Sequence, residues 1–400
     1  MDQIIKSNLE QDLYKDSMGQ AIFHQFNGYM TEWTFKSRNK DVIYAPDVVG
    51  EIARQIELYC KLRYTKDELD WIVKTFPWIH KDYVNCFLRL FQPDPSEIFI
   101  NGVCLALGAD KIPSTDYGCG LSIEFKGPWL TTSRYEVPVL AIVNEVYFAK
   151  KYGEGKKDFE FQERTVEKFR KLENRDYDIG TFSEFGMRRR YSGKMQDWLV
   201  GYMCDLKEKG ALPGFVGTSN MFLAKKYGNE QNRIKAVGTM AHEFIMCVGQ
   251  GNRMFNPAYS NKLMLDAWHR EYGTMNGIAL TDTIGTDAFL LDFKQLFFVL
   301  AVSAKFGRTF VMLLISRSKG FFLGLTDVNE SVGMLKKFSE ELQLRRRKFF
   351  FIRIFGDVCR FFDRKEVAAF VDYLKFHKIP TFLYFIKLYR PKNYMSVNRS

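Results

Sequence analysis

Seven cysteines run from Cys60 to Cys359 without a single CxxC pair. That excludes a small disulfide scaffold and a thiolate zinc site, and it fits a reducing, cytoplasmic setting. No GxGxxG follows a strand-like run and no GxxxxGK[ST] occurs, so neither a dinucleotide fingerprint nor a P-loop is available. No apolar run reaches the roughly 18 residues that a membrane-spanning helix needs. The nearest, Leu296 to Ala304, is cut by Lys305 and Arg308. Met1 to Glu10 carries acidic residues early and lacks the basic-then-apolar order of a secretory signal. Histidine is scarce, with five in 400 residues, so each one has to be placed individually.

What is present is a soluble composition, 46% hydrophobic and 26% charged. The length exceeds one ordinary domain, which implies two domains or one barrel with an appended layer. The net charge of +11 hints at nucleic acid, but its distribution argues otherwise. Residues 291–400 hold 21 of the 58 Lys+Arg and only 9 of the 47 Asp+Glu, leaving the first 290 with 37 basic against 38 acidic. The same tail holds 18 of the 37 phenylalanines and 5 of the 29 glycines, so residue 290 marks a compositional boundary. Neither a nucleic-acid nor a membrane partner is expected of the first 290 residues.

Along the chain, Leu13, Met18 and Ile22 are spaced for a helix with Asp12 as its N-cap and Tyr14 in its first turn. Thr31 to Arg38 alternates as a half-buried strand, and Val48 to Leu62 reads as an amphipathic helix. Thr65-Lys66-Asp67-Glu68 is a capping box. Ile98 to Leu107 and Leu121 to Phe125 read as strands, which makes residues 1–130 an α+β domain. Gly127-Pro128-Trp129-Leu130 reads as a turn, and Glu136 to Asn144 as an apolar strand or helix buried on both faces.

A unit of strand, polar loop and helix then recurs four times, with Gly217-Thr218 and Gly238-Thr239 spaced 21 residues apart. Successive βα units aim their loops at one side, which favours a (β/α) barrel over an open doubly wound sheet. The loops would bring Arg188, Arg189, Thr218, Ser219, Thr239, His242, Asp282 and Thr283 to one rim. Cations, hydroxyls and backbone N–H groups at helix starts suit phosphates. An acidic residue such as Asp282 suits Mg²⁺ held jointly with substrate phosphates. His242 offers an imidazole as base or nucleophile. On residues alone, a tight βα turn at Gly238 to Glu243, a packing role for Tyr14 and a solvated basic turn at Arg188 to Arg190 stay open beside phosphoryl or phosphoribosyl chemistry.

These stretches also resemble one family. Asp12-Leu13-Tyr14-Lys15 with Met18, Gly127-Pro128-Trp129-Leu130 with Glu136-Val137-Pro138, Phe185-Gly186-Met187-Arg188-Arg189-Arg190, Gly217-Thr218-Ser219-Asn220, Gly238-Thr239-Met240-Ala241-His242-Glu243 and Leu280-Thr281-Asp282-Thr283 occur in the order found in nicotinate phosphoribosyltransferases. The series covers about the first 290 residues; Met187 departs from a common threonine. The resemblance implies condensation of nicotinate with phosphoribosyl pyrophosphate, coupled to hydrolysis of ATP with Mg²⁺. It implies His242 as a transient phosphohistidine, Tyr14 and Thr239 against nicotinate, and Arg188 and Arg189 near the substrate carboxylate and phosphates. Thr218 and Ser219 are further candidate substrate contacts and Asp282 the candidate metal ligand. The family's N-terminal tyrosine approaches the site of its partner, which implies a homodimer. A family member that binds without catalysing is the rival.

The resulting architecture is α/β: an N-terminal α+β domain (1–130), an irregular (β/α) barrel half (131–290) left incomplete after residue 290, and a basic, Phe-rich tail (291–400). The tail lacks the Arg-x-Asp-Ser-Gly-Asp and Gly-Ile-Gly-Thr motifs that the resemblance leads one to expect; Asp16-Ser17 is the chain's only Asp-Ser pair. A shift of reading frame near residues 291–300 is the leading expectation, which would leave this chain inactive. A diverged C-terminal half and a replaced tail that binds membrane or nucleic acid are the alternatives.

Overall fold

A computed structural model describes residues 1–35, 37, 42–113, 120–173, 181–238, 240–250, 259–273, 275–276, 278–280, 283–284 and 289, and four short strands beyond them. The residues fall into two compact units: Met1–Arg164 with Ser183–Phe255, and Thr165–Phe182 with Asn256–Ser400.

The first unit opens with α1 (Leu13–Gln25), which is buried along most of its length, and β1 (Met30–Thr34). Asp12 holds the N-cap position of α1, as expected, but its side chain makes no capping bond and is engaged elsewhere. Next come α2 (Pro46–Tyr59) and α3 (Lys66–Thr75). In α3 the Thr65–Glu68 capping box closes reciprocally, satisfying two orphan backbone donors. A short α4 (Lys81–Tyr83) leads to β2 (Ile98–Ile100), β3 (Val103–Cys104) and β4 (Ile123–Pro128). The four strands form an antiparallel sheet in the order β1-β4-β2-β3. Gly127-Pro128-Trp129-Leu130 is the end of β4 running into α5 (Trp129–Thr132), not an isolated turn.

The apolar run from Glu136 is helical: α6 (Glu136–Tyr152). Its length and the first-turn position of Pro138, where a missing N–H costs nothing, decide for helix over strand. Then follow α7 (Asp158–Glu173), β5 (Phe182–Glu184), α8 (Gly193–Glu208), β6 (Phe215–Thr218), α9 (Met221–Tyr227), β7 (Lys235–Ala236) and α10 (His242–Gln250). Strands β5-β6-β7 form one sheet, with β6 and β7 parallel. Gly217 is required there. Its φ is +154° and a Cβ would lie 1.9 Å from the Lys235 carbonyl oxygen of the neighbouring strand.

The second unit contains α11 (Ser260–Tyr272), in which Trp268 packs 4.7 Å from Tyr272 and donates to the Asn276 carbonyl. Strand β8 (Ile278–Leu280) pairs parallel with β9 (Val299–Ser303), which pairs antiparallel with β10 (Phe310–Leu314). Strands β11 (Phe350–Ile352) and β12 (Thr381–Leu383) form a separate parallel pair.

Mixed α/β architecture and the N-terminal α+β part agree with the sequence reading. A closed barrel is not what the described residues trace: their parallel pairs lie in three separate sheets. Among the described residues no helix is long and apolar enough to cross a membrane.

Candidate active site

The site grows from the C-terminal ends of β5, β6 and β7. Backbone bonds lock these ends side by side: Ser219 N–H donates to the Glu184 carbonyl, and Val237 N–H to the Thr218 carbonyl, each at 2.8 Å. The N-terminus of α1 is stitched onto the same edge. Leu13 N–H donates to Ser219 O, Met221 N–H donates to Gln11 O, and Asp12 bridges Asn220. Gly238 lies so close that a Cβ there would be 2.8 Å from the Tyr14 nitrogen. The first turn of α1 therefore sits against the Gly238 loop within one chain.

Charged side chains then form a continuous path. Arg188, on the 3₁₀ turn Met187–Arg189, donates to Glu136 Oε1 at 2.8 Å and lies 3.8 Å from Asp12. The other oxygen of Glu136 is 2.7 Å from Lys15 Nζ, which is also 2.7 Å from Glu243 Oε2. Glu243 Oε1 accepts from the Trp129 indole at 2.7 Å. Asp12 Oδ1 accepts from the Ser219 hydroxyl at 2.6 Å. Above this path the Arg188 guanidinium stands 5.9 Å from the Tyr14 ring centroid.

The environment sorts these groups by charge state. Burial alone would raise the Glu136 carboxyl, but Lys15 and then Arg188 overcome it and hold it at about 2. Asp12 goes the other way: burial dominates the Ser219 bond and the more distant Arg188, lifting it to about 6. Burial also raises Glu243 against the pull of Lys15. Burial would depress Lys15, yet Glu136 and Glu243 outweigh it and keep the ammonium charged. Burial pushes the Tyr14 phenol well up, so Tyr14 acts as a neutral ring. Arg188 keeps 42% of its side chain exposed, which leaves a fork of donors for an incoming anion.

The other expected residues separate into groups. His242 is exposed on the first residue of α10, while its neighbour Glu243 points inward. Arg189 is exposed. Arg190 is buried and pairs with Glu10 and Glu145, which ends the reading of the triple arginine as one solvated turn. Thr218 and Ser219 are fully buried, with hydroxyls given to Glu184 and Asp12. Thr239 and Asp282 lie outside the described residues. Tyr14 lies 5.9 Å from the Arg188 guanidinium of its own chain.

Sequence reasoning passed over Lys15, Glu136, Glu184 and Glu243. For Lys15, Glu136 and Glu243 the signal was a charge in the first turn of a helix that buries much of its surface, which a buried ion pair explains; Glu184 ends strand β5 and accepts from Thr218 and Gln196.

A sequence profile described as the nicotinate phosphoribosyltransferase (NAPRTase) family matches residues 181–302. A second, for that family's N-terminal domain, matches residues 9–144. The nicotinate phosphoribosyltransferase of Xanthomonas campestris pv. campestris is 38% identical over 297 residues, covering 74% of this chain and 67% of the relative. That of Xylella fastidiosa is 35% identical over 305 residues, covering 74% and 69%. A crystal structure of nicotinate phosphoribosyltransferase from Porphyromonas gingivalis superposes with a TM-score of 0.67 at 25% identity, over 88% of this chain and 78% of that one. A putative nicotinate phosphoribosyltransferase from Saccharomyces cerevisiae shares the fold, with a TM-score of 0.68 over 95% and 84%. With the N-terminal and catalytic profiles matched in order around this charged path, the chain belongs to the nicotinate phosphoribosyltransferase family.

Proposed function

We propose that the chain joins nicotinate to phosphoribosyl pyrophosphate, forming the N–C1′ bond of nicotinate mononucleotide as the C1′–O bond to pyrophosphate breaks. The observation that carries this reading is the half-exposed Arg188 fork beside the Tyr14 ring, inside a chain 38% identical to a nicotinate phosphoribosyltransferase. A planar aromatic carboxylate matches that pair: the ring stacks and the carboxylate takes the fork. Transfer passes through an oxocarbenium-like centre, so fixed charges and alignment matter more than a strong nucleophile.

His242 is the phosphoryl acceptor in this reading. It lies exposed at the start of α10, on the side from which the γ-phosphoryl group of ATP approaches in this reading; the N–P bond forms as ADP departs, and later hydrolysis releases phosphate. Arg189 and the first turn of α10 supply positive potential for the phosphates. Thr239 joins Tyr14 on the base, and Thr218 and Ser219 shape the loop that borders the sugar. The described carboxylates nearest the site do not fit a Mg²⁺ shell, because Asp12, Glu136, Glu184 and Glu243 already accept bonds from protein donors. Asp282 is the proposed contributor to metal, with the diphosphate as the main ligand. The active form is a homodimer.

The test is nicotinate mononucleotide formation by the purified chain, with and without ATP, alongside γ-labelled ATP to detect phosphohistidine. Product formation stimulated by ATP, with label at His242, is expected. Nicotinate binding without product or label would instead favour the binding-only reading.

A further inference from the structure

One ammonium joins the two working halves of this site. Lys15 Nζ, with no exposed surface, contacts Glu136, which holds Arg188, and Glu243, which directly follows His242. Glu243 is fixed from its other side by Trp129, at the start of α5. Successive helix residues diverge by about 100°, so an inward Glu243 sends His242 outward. Apolar contacts of Phe244, Ile245 and Val248 seat α10 but allow sliding, whereas a bidentate carboxylate fixes its height and rotation.

Stability is a poor reason for this arrangement. Apolar side chains of similar volume usually hold a core as well as a buried ion pair. What charges add is a fixed geometry with directional bonds. We propose that Lys15 is a positioning residue that acts through Glu243 to set His242 against the Tyr14–Arg188 pair, coupling phosphoryl acceptance to the base-binding half of the site. The inference rests on the functional reading above and deepens it.

The test uses the full chain, Glu243→Gln, and the double variant Lys15→Met/Glu243→Gln, in which Glu243 no longer faces a missing ammonium and Glu136 keeps Arg188 as its cation. Three quantities are read: the rate of His242 labelling from γ-labelled ATP, the nicotinate dissociation constant by calorimetry, and the circular dichroism spectrum. Labelling is expected to fall about tenfold or more in both variants, as a slightly displaced reacting group does. Nicotinate affinity should stay within about twofold, because Arg188 keeps Glu136. The double variant should label no more slowly than the single one, since both cut the same link.

Unchanged labelling in Glu243→Gln overturns the inference alone. So does a parallel loss of labelling, nicotinate binding and native dichroism, which marks general loosening rather than a displaced helix. If the unmodified chain neither labels nor makes nicotinate mononucleotide, the functional reading falls and the inference falls with it.

Discussion

Gly238→Ala is the sharpest probe of how this site is assembled. A Cβ at residue 238 would lie 2.8 Å from the Tyr14 nitrogen, 3.0 Å from Leu13 Cβ and 3.2 Å from the Leu13 carbonyl carbon. These neighbours are mostly backbone at the start of a buried helix, so no flexible side chain can swing aside. To restore ordinary van der Waals distance, the Gly238 loop and the first turn of α1 must separate by roughly 0.6 Å. Overpacking of this kind costs about 1–3 kcal/mol. A displacement approaching 1 Å between groups that must converge on substrate costs up to about 100-fold in rate. We expect kcat/KM for nicotinate mononucleotide formation to fall about 10- to 100-fold, together with a lowered unfolding midpoint. Gly50→Ala is the matched control: residue 50 lies within α2, where a Cβ meets nothing within 4 Å, and alanine there should stabilise by up to about 1 kcal/mol. If Gly238→Ala matches the unmodified chain in both midpoint and kinetics, the close apposition of Tyr14 and the Gly238 loop is wrong.

Three further outcomes follow from the charges and the tail. Asp12 titrates near 6 when folded against 3.8 for the free side chain, so the folded state holds more protons between those values. Its contribution to stability therefore declines by about 3 kcal/mol as pH rises from about 4 to 6. Asp12→Asn should flatten that slope in urea titrations; Glu136, held at about 2, contributes the opposite slope only below about pH 4.5. Arg134 and Asp16 are fully buried and 2.8 Å apart, so Arg134→Met should cost about 3–5 kcal/mol, and Arg134→Met/Asp16→Asn measurably less. Equal losses in urea denaturation would show that the pair is not coupled. Sequencing the gene around codons 285–305 should reveal another frame encoding Arg-x-Asp-Ser-Gly-Asp and Gly-Ile-Gly-Thr; their absence from both alternative frames ends the frameshift reading.

The sequence by itself determined the local grammar of this protein. The Thr65–Glu68 capping box, the α8 to α10 run of helices and short strands, and the break at residue 290 are readable because they depend on neighbours a few residues apart. It also singled out His242, Arg188 and Tyr14 as candidates, each within a short motif of the family resemblance. Long-range contacts decided the rest. Glu136–Asn144 could be a strand or a helix on pattern alone, since a run buried all round has no period to read. That Arg190 is buried beside Glu10 while Arg189 faces solvent is invisible in three identical letters. Lys15, Glu136 and Glu243 are separated by more than a hundred residues at each step, and only folding shows that one ammonium serves both carboxylates. Hydrophobic spacing tells which face turns inward; it does not say which buried charge will find its partner, because that is a property of the packed elements and not of the chain segment that carries it.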